Sequence, residues 1–195
     1  LNASHAALAY LGYLAGYETI AATMSDPHFA AFAARVMEEA AVTLKMPDDT
    51  DLAAYQASLL ARFANPALHH RTWQIAMDGS QKLPQRLLAA MADRLQLGLP
   101  IDTHALAVAG WMRYVTARDE QDKAIDVRDP IAGKLAAIAR EAGPVAGRLA
   151  PALLAVESVF GALGTDPRVA RAVTEALAQL YVRGARQVLA TGMYD

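Results

Sequence analysis

The chain has 195 residues, 54% of them hydrophobic, with a formal net charge of −2 and no cysteine. That length suits one domain with a substantial core, and the charge gives no electrostatic footing for nucleic acid or an anionic membrane surface. The lack of cysteine excludes disulfides, thiolate catalysis and cysteine-ligated metals, and is compatible with a reducing cytoplasm, the compartment expected here.

The first stretch, Leu1-Asn2-Ala3-Ser4-His5 and the apolar run to Tyr17, organises the rest. Asn2 and His5 stand three residues apart at the mouth of a predicted helix, so both side chains share one face. An amide and an imidazole side by side can hold a carbonyl or hydroxyl oxygen between them. The same five residues also fit a plain helix start, with Asn2 or Ser4 as cap and His5 exposed. The chain opens on Leu rather than Met inside this motif, which reads as a piece of a longer polypeptide. The run Ala6–Gly16 is too short to cross a bilayer and has no basic front, so neither a membrane span nor a signal peptide is expected.

Leu8, Leu11 and Ala15 recur at helical spacing, and the first helix is expected from Ser4 to about Met24. Ser25-Asp26-Pro27 starts a second helix to about Leu44, with Glu38 and Glu39 on its solvated face. After the polar connector Lys45–Thr50, Thr50 or Asp51 caps a third helix through Phe63. Asn65-Pro66 starts another, whose tail Gln74–Met77 runs into Asp78-Gly79-Ser80, a break where Asp and Ser bond the local backbone and Gly permits positive φ. Pro84 opens a helix to about Leu97, and Asp102 or Thr103 caps the next through Ala117. Asp119–Asp129 is charged and reads as a surface loop or small hairpin. Helices then follow from Pro130 to Ala142, from Val145 to Phe160, and from Pro167 to Leu189. No run alternates as a strand does, so the reading is all-α, with roughly nine helices.

No glycine-rich phosphate loop occurs, so the segment has no nucleotide fingerprint of its own. The five histidines form no His-x-x-x-His pair, and no metal site is expected. The positive signal is Asp78-Gly79-Ser80-Gln81-Lys82, a polar kink between apolar helices. A lysine there can pin a hydroxyl or a carboxylate, although a surface lysine beside a helix-end aspartate fits the local pattern as well. Trp111–Tyr114 reads as a helix half in the core, with Arg113 reaching outward.

Together these motifs resemble the C-terminal domain of the polyol-specific long-chain dehydrogenases, the mannitol dehydrogenase family. The landmarks are Asn2-Ala3-Ser4-His5 with Ala9–Ile20, then Arg62–Leu68, and the long run His70–Leu88. Within the family that run, with Gly110–Tyr114 and Asp119-Glu120-Gln121, is most similar to the fructuronate reductase (D-mannonate oxidoreductase) branch, ahead of the mannitol branch. The resemblance implies an all-α substrate domain of the 6-phosphogluconate-dehydrogenase-like type over the whole chain. It also implies an upstream Rossmann-type domain that binds NAD, a sugar acid or polyol as substrate, and no metal.

The family motif is a lysine, an asparagine five positions on and a histidine three beyond; Asn2 and His5 match the last two, and the lysine falls four positions before Leu1. Ala3 stands where glycine is usual. Lys82 matches a lysine that contacts the substrate, and Gln74 occupies the place of an arginine in the mannitol branch. Arg71 and Asp78 are further candidates, more as supports of the kink than as substrate contacts. Two other readings stay open: a helical interaction module without activity, and a relative acting on a sugar phosphate, which calls for a basic cluster at the sugar end.

Overall fold

The computed structural model describes residues 2–43 and 51–192, which form helices joined by turns and loops, without a named strand among them. Its first helix, α1 (Asn2–Leu14), buries almost every side chain from Ala3 to Leu14, so it is wrapped on all sides. It ends sooner than its hydrophobic period suggests. Gly16 takes a left-handed φ of 87°, and the amides of Gly16 and Tyr17 return to the carbonyls of Tyr13 and Gly12. Those are the two bonds of a Schellman stop, which satisfies the last carbonyls and turns the chain away. The single helix expected to Met24 is therefore two, and Thr19 caps the short α2 (Ile20–Met24) by accepting from the Ala22 amide at 3.1 Å.

Asp26 caps α3 (Pro27–Ala41) and Asp51 caps α4 (Leu52–Phe63) through their carboxylates, as the cap signals require. The expected connector Lys45–Thr50, including Thr50 as an alternative cap, lies outside the described residues. Asn65-Pro66 starts only a 3₁₀ turn, Pro66–Leu68, where a helix was expected. His69 adopts φ 46°, so neither His69 nor His70 sits on a helix. The backbone beyond instead pairs with the α1–α2 link: Ile20 donates to the His70 carbonyl and Thr72 to that of Glu18.

The expected break is present between α5 (Thr72–Ala76) and α6 (Gly79–Leu83), but the left-handed φ, 55°, falls on Asp78, and Gly79 is the first helical residue of α6. Pro84 opens no new helix. It leads into a wide π turn, Pro84–Leu88, which recovers its register when Ala89 donates to the Pro84 carbonyl and which runs on into α7 (Ala89–Gln96). In α8 (Asp102–Tyr114) every side chain from Thr103 to Met112 is buried. Ile101 takes the cap position, and the Thr103 hydroxyl is committed elsewhere.

The charged segment after α8 closes a tight turn on one bridge, Arg118 to Ala124, with Asp119 accepting from the amides of Gln121 and Lys123. Arg113 is tied to this turn through the carbonyls of Arg118 and Asp119. Asp129 rather than Pro130 sets the start of α9 (Ala132–Ala142), by accepting from the Ile131 amide. The expected Val145–Phe160 helix divides into α10 (Ala146–Leu154) and α11 (Glu157–Phe160). In α12 (Pro167–Ala190), Gly184 leaves helical geometry, and the Glu120 carboxylate accepts the Ala185 amide at 2.6 Å.

The central pair α1 and α8 is crossed by α12, with α3 and α5 against α1 and α10 closing the far side. Among the described residues no single helix is long and apolar enough to cross a membrane. Two points inside this packing decide stability. Glu39, expected on a solvated face, is 7% exposed and meets Arg35, Arg94, Thr103 and His104. Gly79 lies where a Cβ would run into the Trp111 indole nitrogen and would sit 2.7 Å from the Tyr10 hydroxyl, and both rings are fully buried. We expect Gly79→Ala to cost about 2–3 kcal/mol by overpacking, read as a fall in Tm on the order of 5–10 °C. An unchanged melting curve would show that the two rings can yield.

Candidate functional site

His5 lies in the second turn of α1, one turn after Asn2, so the two occupy one face of the helix entrance. Asn2 is exposed and His5 is half-buried. The imidazole stacks on Phe63, the last residue of α4, with centroids 4.7 Å apart and planes 21° apart. The His70 ring stands 5.4 Å away, tilted by 43° to the imidazole. The Nε2 atom of His5 is buried and has no hydrogen-bond partner among the described residues.

Burial, and then electrostatic repulsion from His70, Arg86, Arg62 and Lys82, bring the His5 imidazole down to about 4. It is therefore neutral near pH 7, with one N–H and one lone pair to offer. A neutral, desolvated imidazole with an uncommitted nitrogen suits a polar oxygen that must gain or lose a proton.

Lys82 sits in the last turn of α6, half-buried, its ammonium 3.4 Å from the Ile75 carbonyl. Burial lowers its affinity for a proton, the Arg86 charge adds to that, and Asp78 and Asp129 oppose it. Asp78 is a backbone device: at φ 55° it donates its amide to the Arg128 carbonyl and accepts from the amides of Gln81 and Lys82. Asp129 locks the same break by accepting from the Ser80 amide at 2.7 Å and hydroxyl at 2.6 Å. The charged loop is thus a buttress. Trp73 donates to the Asp126 carbonyl, and the Arg128 guanidinium lies over the indole, 5.3 Å from its centroid.

Five of the six residues singled out from the sequence lie on α1 and on the α5–α6 break. Gln74 is exposed on α5, and Arg71 sits apart. The Arg71 backbone bridges to Thr19, and the residue lines a cavity of about 610 Å³ shared with Tyr13, Trp73 and Asp126, into which none of Asn2, His5, Gln74, Asp78 or Lys82 reaches. Sequence reasoning passed over Phe63 and His70, which frame His5, and Arg62 and Arg86, which bias it. For Arg86 a signal was present, since it stands four residues after Lys82. Among the described residues no three His, Asp or Glu side chains gather as a metal site.

The fold is that of a helical C-terminal domain of the polyol dehydrogenase type. The chain belongs to the mannitol dehydrogenase C-terminal domain family, whose model matches residues 1–181. It is 53% identical over 194 residues to D-mannonate oxidoreductase of Escherichia coli, covering 97% of this chain and 39% of that protein. Mannitol 2-dehydrogenase of Phaeosphaeria nodorum is 35% identical over 193 residues, which are 97% of this chain and 33% of that enzyme. In three dimensions the chain matches mannitol 2-dehydrogenase of Pseudomonas fluorescens, solved as a ternary complex with NAD and D-mannitol, with a TM-score of 0.92 at 29% identity over 99% of this chain and 39% of that one. The chain thus spans about two fifths of the length of such relatives.

Proposed function

We propose that this chain is the catalytic and substrate-binding domain of an NAD-dependent oxidoreductase that interconverts D-fructuronate and D-mannonate by hydride transfer. The observation that carries the reading is the buried, unpartnered Nε2 of His5 amid Lys82, Arg86, Arg62 and His70. Cations without an ion-pair partner among the described residues, beside a hydrogen-bonding pair, fit a substrate with a carboxylate better than a neutral polyol. The 53% identity to D-mannonate oxidoreductase supports the same choice, as does the neutral Gln74.

In this reading Asn2 and His5 hydrogen-bond the oxygen at the reacting carbon and stabilise the charge that develops there. A lysine upstream of Leu1 takes the hydroxyl proton in oxidation and returns it in reduction. Lys82 holds the sugar chain or its carboxylate. NAD, held by an upstream Rossmann-type domain, supplies the hydride acceptor when bound. The chain's own contribution to that chemistry is the oxygen-binding pair. A cytoplasmic location belongs to the same reading.

The test is NADH oxidation by the polypeptide extended upstream of Leu1, with fructuronate, tagaturonate and fructose side by side. We expect fructuronate to have the highest kcat/KM. A preference for fructose would move the protein to mannitol chemistry. The 195 residues alone are expected to show no NADH oxidation, because the base and the cofactor domain are both missing; measurable turnover by them would overturn this division of labour.

A further inference from the structure

Arg86 is a half-buried guanidinium that forms no hydrogen bond or ion pair with any described residue. It stands four residues after Lys82, so the two cations share one face as α6 passes into the π turn Pro84–Leu88. Lys82 is likewise without an ion-pair partner among the described residues. The carboxylates that bear on Lys82 are Asp78 and Asp129. Asp129 is occupied by the Ser80 amide, the Ser80 hydroxyl and the Ile131 amide, and Asp78 is exposed.

This helix is pinned against α1, because Gly79 abuts the Tyr10 hydroxyl, and the π turn itself packs on α1, the helix that carries His5. The Arg86 charge is accordingly felt at His5, Tyr10 and Lys82 alike. Two adjacent, partly desolvated cations repel each other, and an incoming anion relieves that cost.

We propose that Arg86 is the residue that selects a carboxylate-bearing substrate, its guanidinium and the Lys82 ammonium together binding the acid group of the sugar acid whose reacting oxygen His5 holds. This rests on the reading given under Proposed function. Arg86 supplies the planar fork that matches a carboxylate, and Lys82 supplies a point charge that neutralises it. Gln74, a neutral amide, adds no charge. Arg62, exposed in the last turn of α4, adds to the field around His5.

The experiment compares wild type, Arg86→Gln and Arg86→Lys in the polypeptide extended upstream of Leu1. Binding of D-mannonate and of neutral D-mannitol is measured by calorimetry with NAD present, beside the kinetics of fructuronate reduction. Arg86→Gln is expected to weaken D-mannonate, and to raise the KM for fructuronate, about 10- to 100-fold, the loss that follows removal of a charge-assisted hydrogen bond. D-mannitol binding and the Tm of the free protein stay as in wild type, and Arg86→Lys recovers part of the loss. Equal weakening of both ligands, or no weakening of D-mannonate, overturns the inference, as does a wild type that binds no D-mannonate at all. If D-mannonate binds through Arg86 but no hydride is transferred, the proposed reaction fails while the carboxylate site stands.

Discussion

Replacing His5 with alanine in the polypeptide that carries the upstream domain is expected to lower kcat about 10²- to 10³-fold, the loss typical for one preorganised donor at a developing oxyanion. KM for the sugar acid should change far less, because Lys82 and Arg86 remain to hold the other end. The substitution also removes a ring stacked on Phe63, so a melting curve must accompany the kinetics. Wild-type kcat in a folded His5→Ala protein would remove His5 from the chemistry. A pH signature accompanies this. Burial and the surrounding cations bring His5 to about 4 from an ordinary 6.5, so between those values the unfolded chain binds a proton that the folded one refuses. The stability concerned is present above pH 6.5 and is lost as pH falls toward 4. After a discount for solvent screening the loss is about 2 kcal/mol, and His5→Ala should flatten that limb of the curve of Tm against pH.

How much of this was legible beforehand depended on how far each cause reaches along the chain. Asp26 and Asp51 were readable because a cap is settled within three or four residues. The break after Met77 was readable too, but its left-handed φ falls on Asp78 rather than Gly79, held by the distant Arg128 carbonyl. The shared face of Asn2 and His5 was readable as well, since it needs only helical spacing. The Gly16 stop was equally local, but the hydrophobic period continues through Ile20 and masked it. The Pro66 segment failed for a different reason. The backbone just beyond it, at His70 and Thr72, pairs with Ile20 and Glu18, so a strong helix-start signal yields to pairing with a distant link. Likewise His70 and Phe63 meet His5 only in three dimensions, and no spacing announces them. Asp119–Asp129 was read as surface by its charge, yet Asp129 and the Arg128 carbonyl hold the break that presents Lys82.

Glu39 is the sharpest case, because a glutamate beside a second glutamate on an amphipathic helix reads as solvated, while its partners Arg94, Thr103 and His104 lie 55, 64 and 65 residues away. Burial alone would push its carboxyl up. Hydrogen bonds from His104, Arg35 and Thr103, with the Arg94 charge, outweigh that and hold it at about 2. Glu39→Ala leaves Arg94, 5% exposed, without its counter-charge. We expect that to cost about 3–5 kcal/mol, a fall in Tm on the order of 10 °C. The pH dependence has its own window: this stabilisation is present above the ordinary carboxylate value of 4.5 and is lost as pH falls toward 2, below the window of His5. Replacing both charges, Glu39→Leu with Arg94→Met, should recover part of the single-variant loss, since neither charge is then stranded. A double variant as damaged as the two singles combined would show that the cluster acts by packing rather than by charge. Because Glu39 joins α3 to α7 and α8, and α1 packs on α3 and α8, the cluster supports the helix that carries Asn2 and His5 while its own bonds go to other residues. Below its lowered Tm, Glu39→Ala should therefore keep a kcat close to wild type in the extended polypeptide, the opposite of His5→Ala.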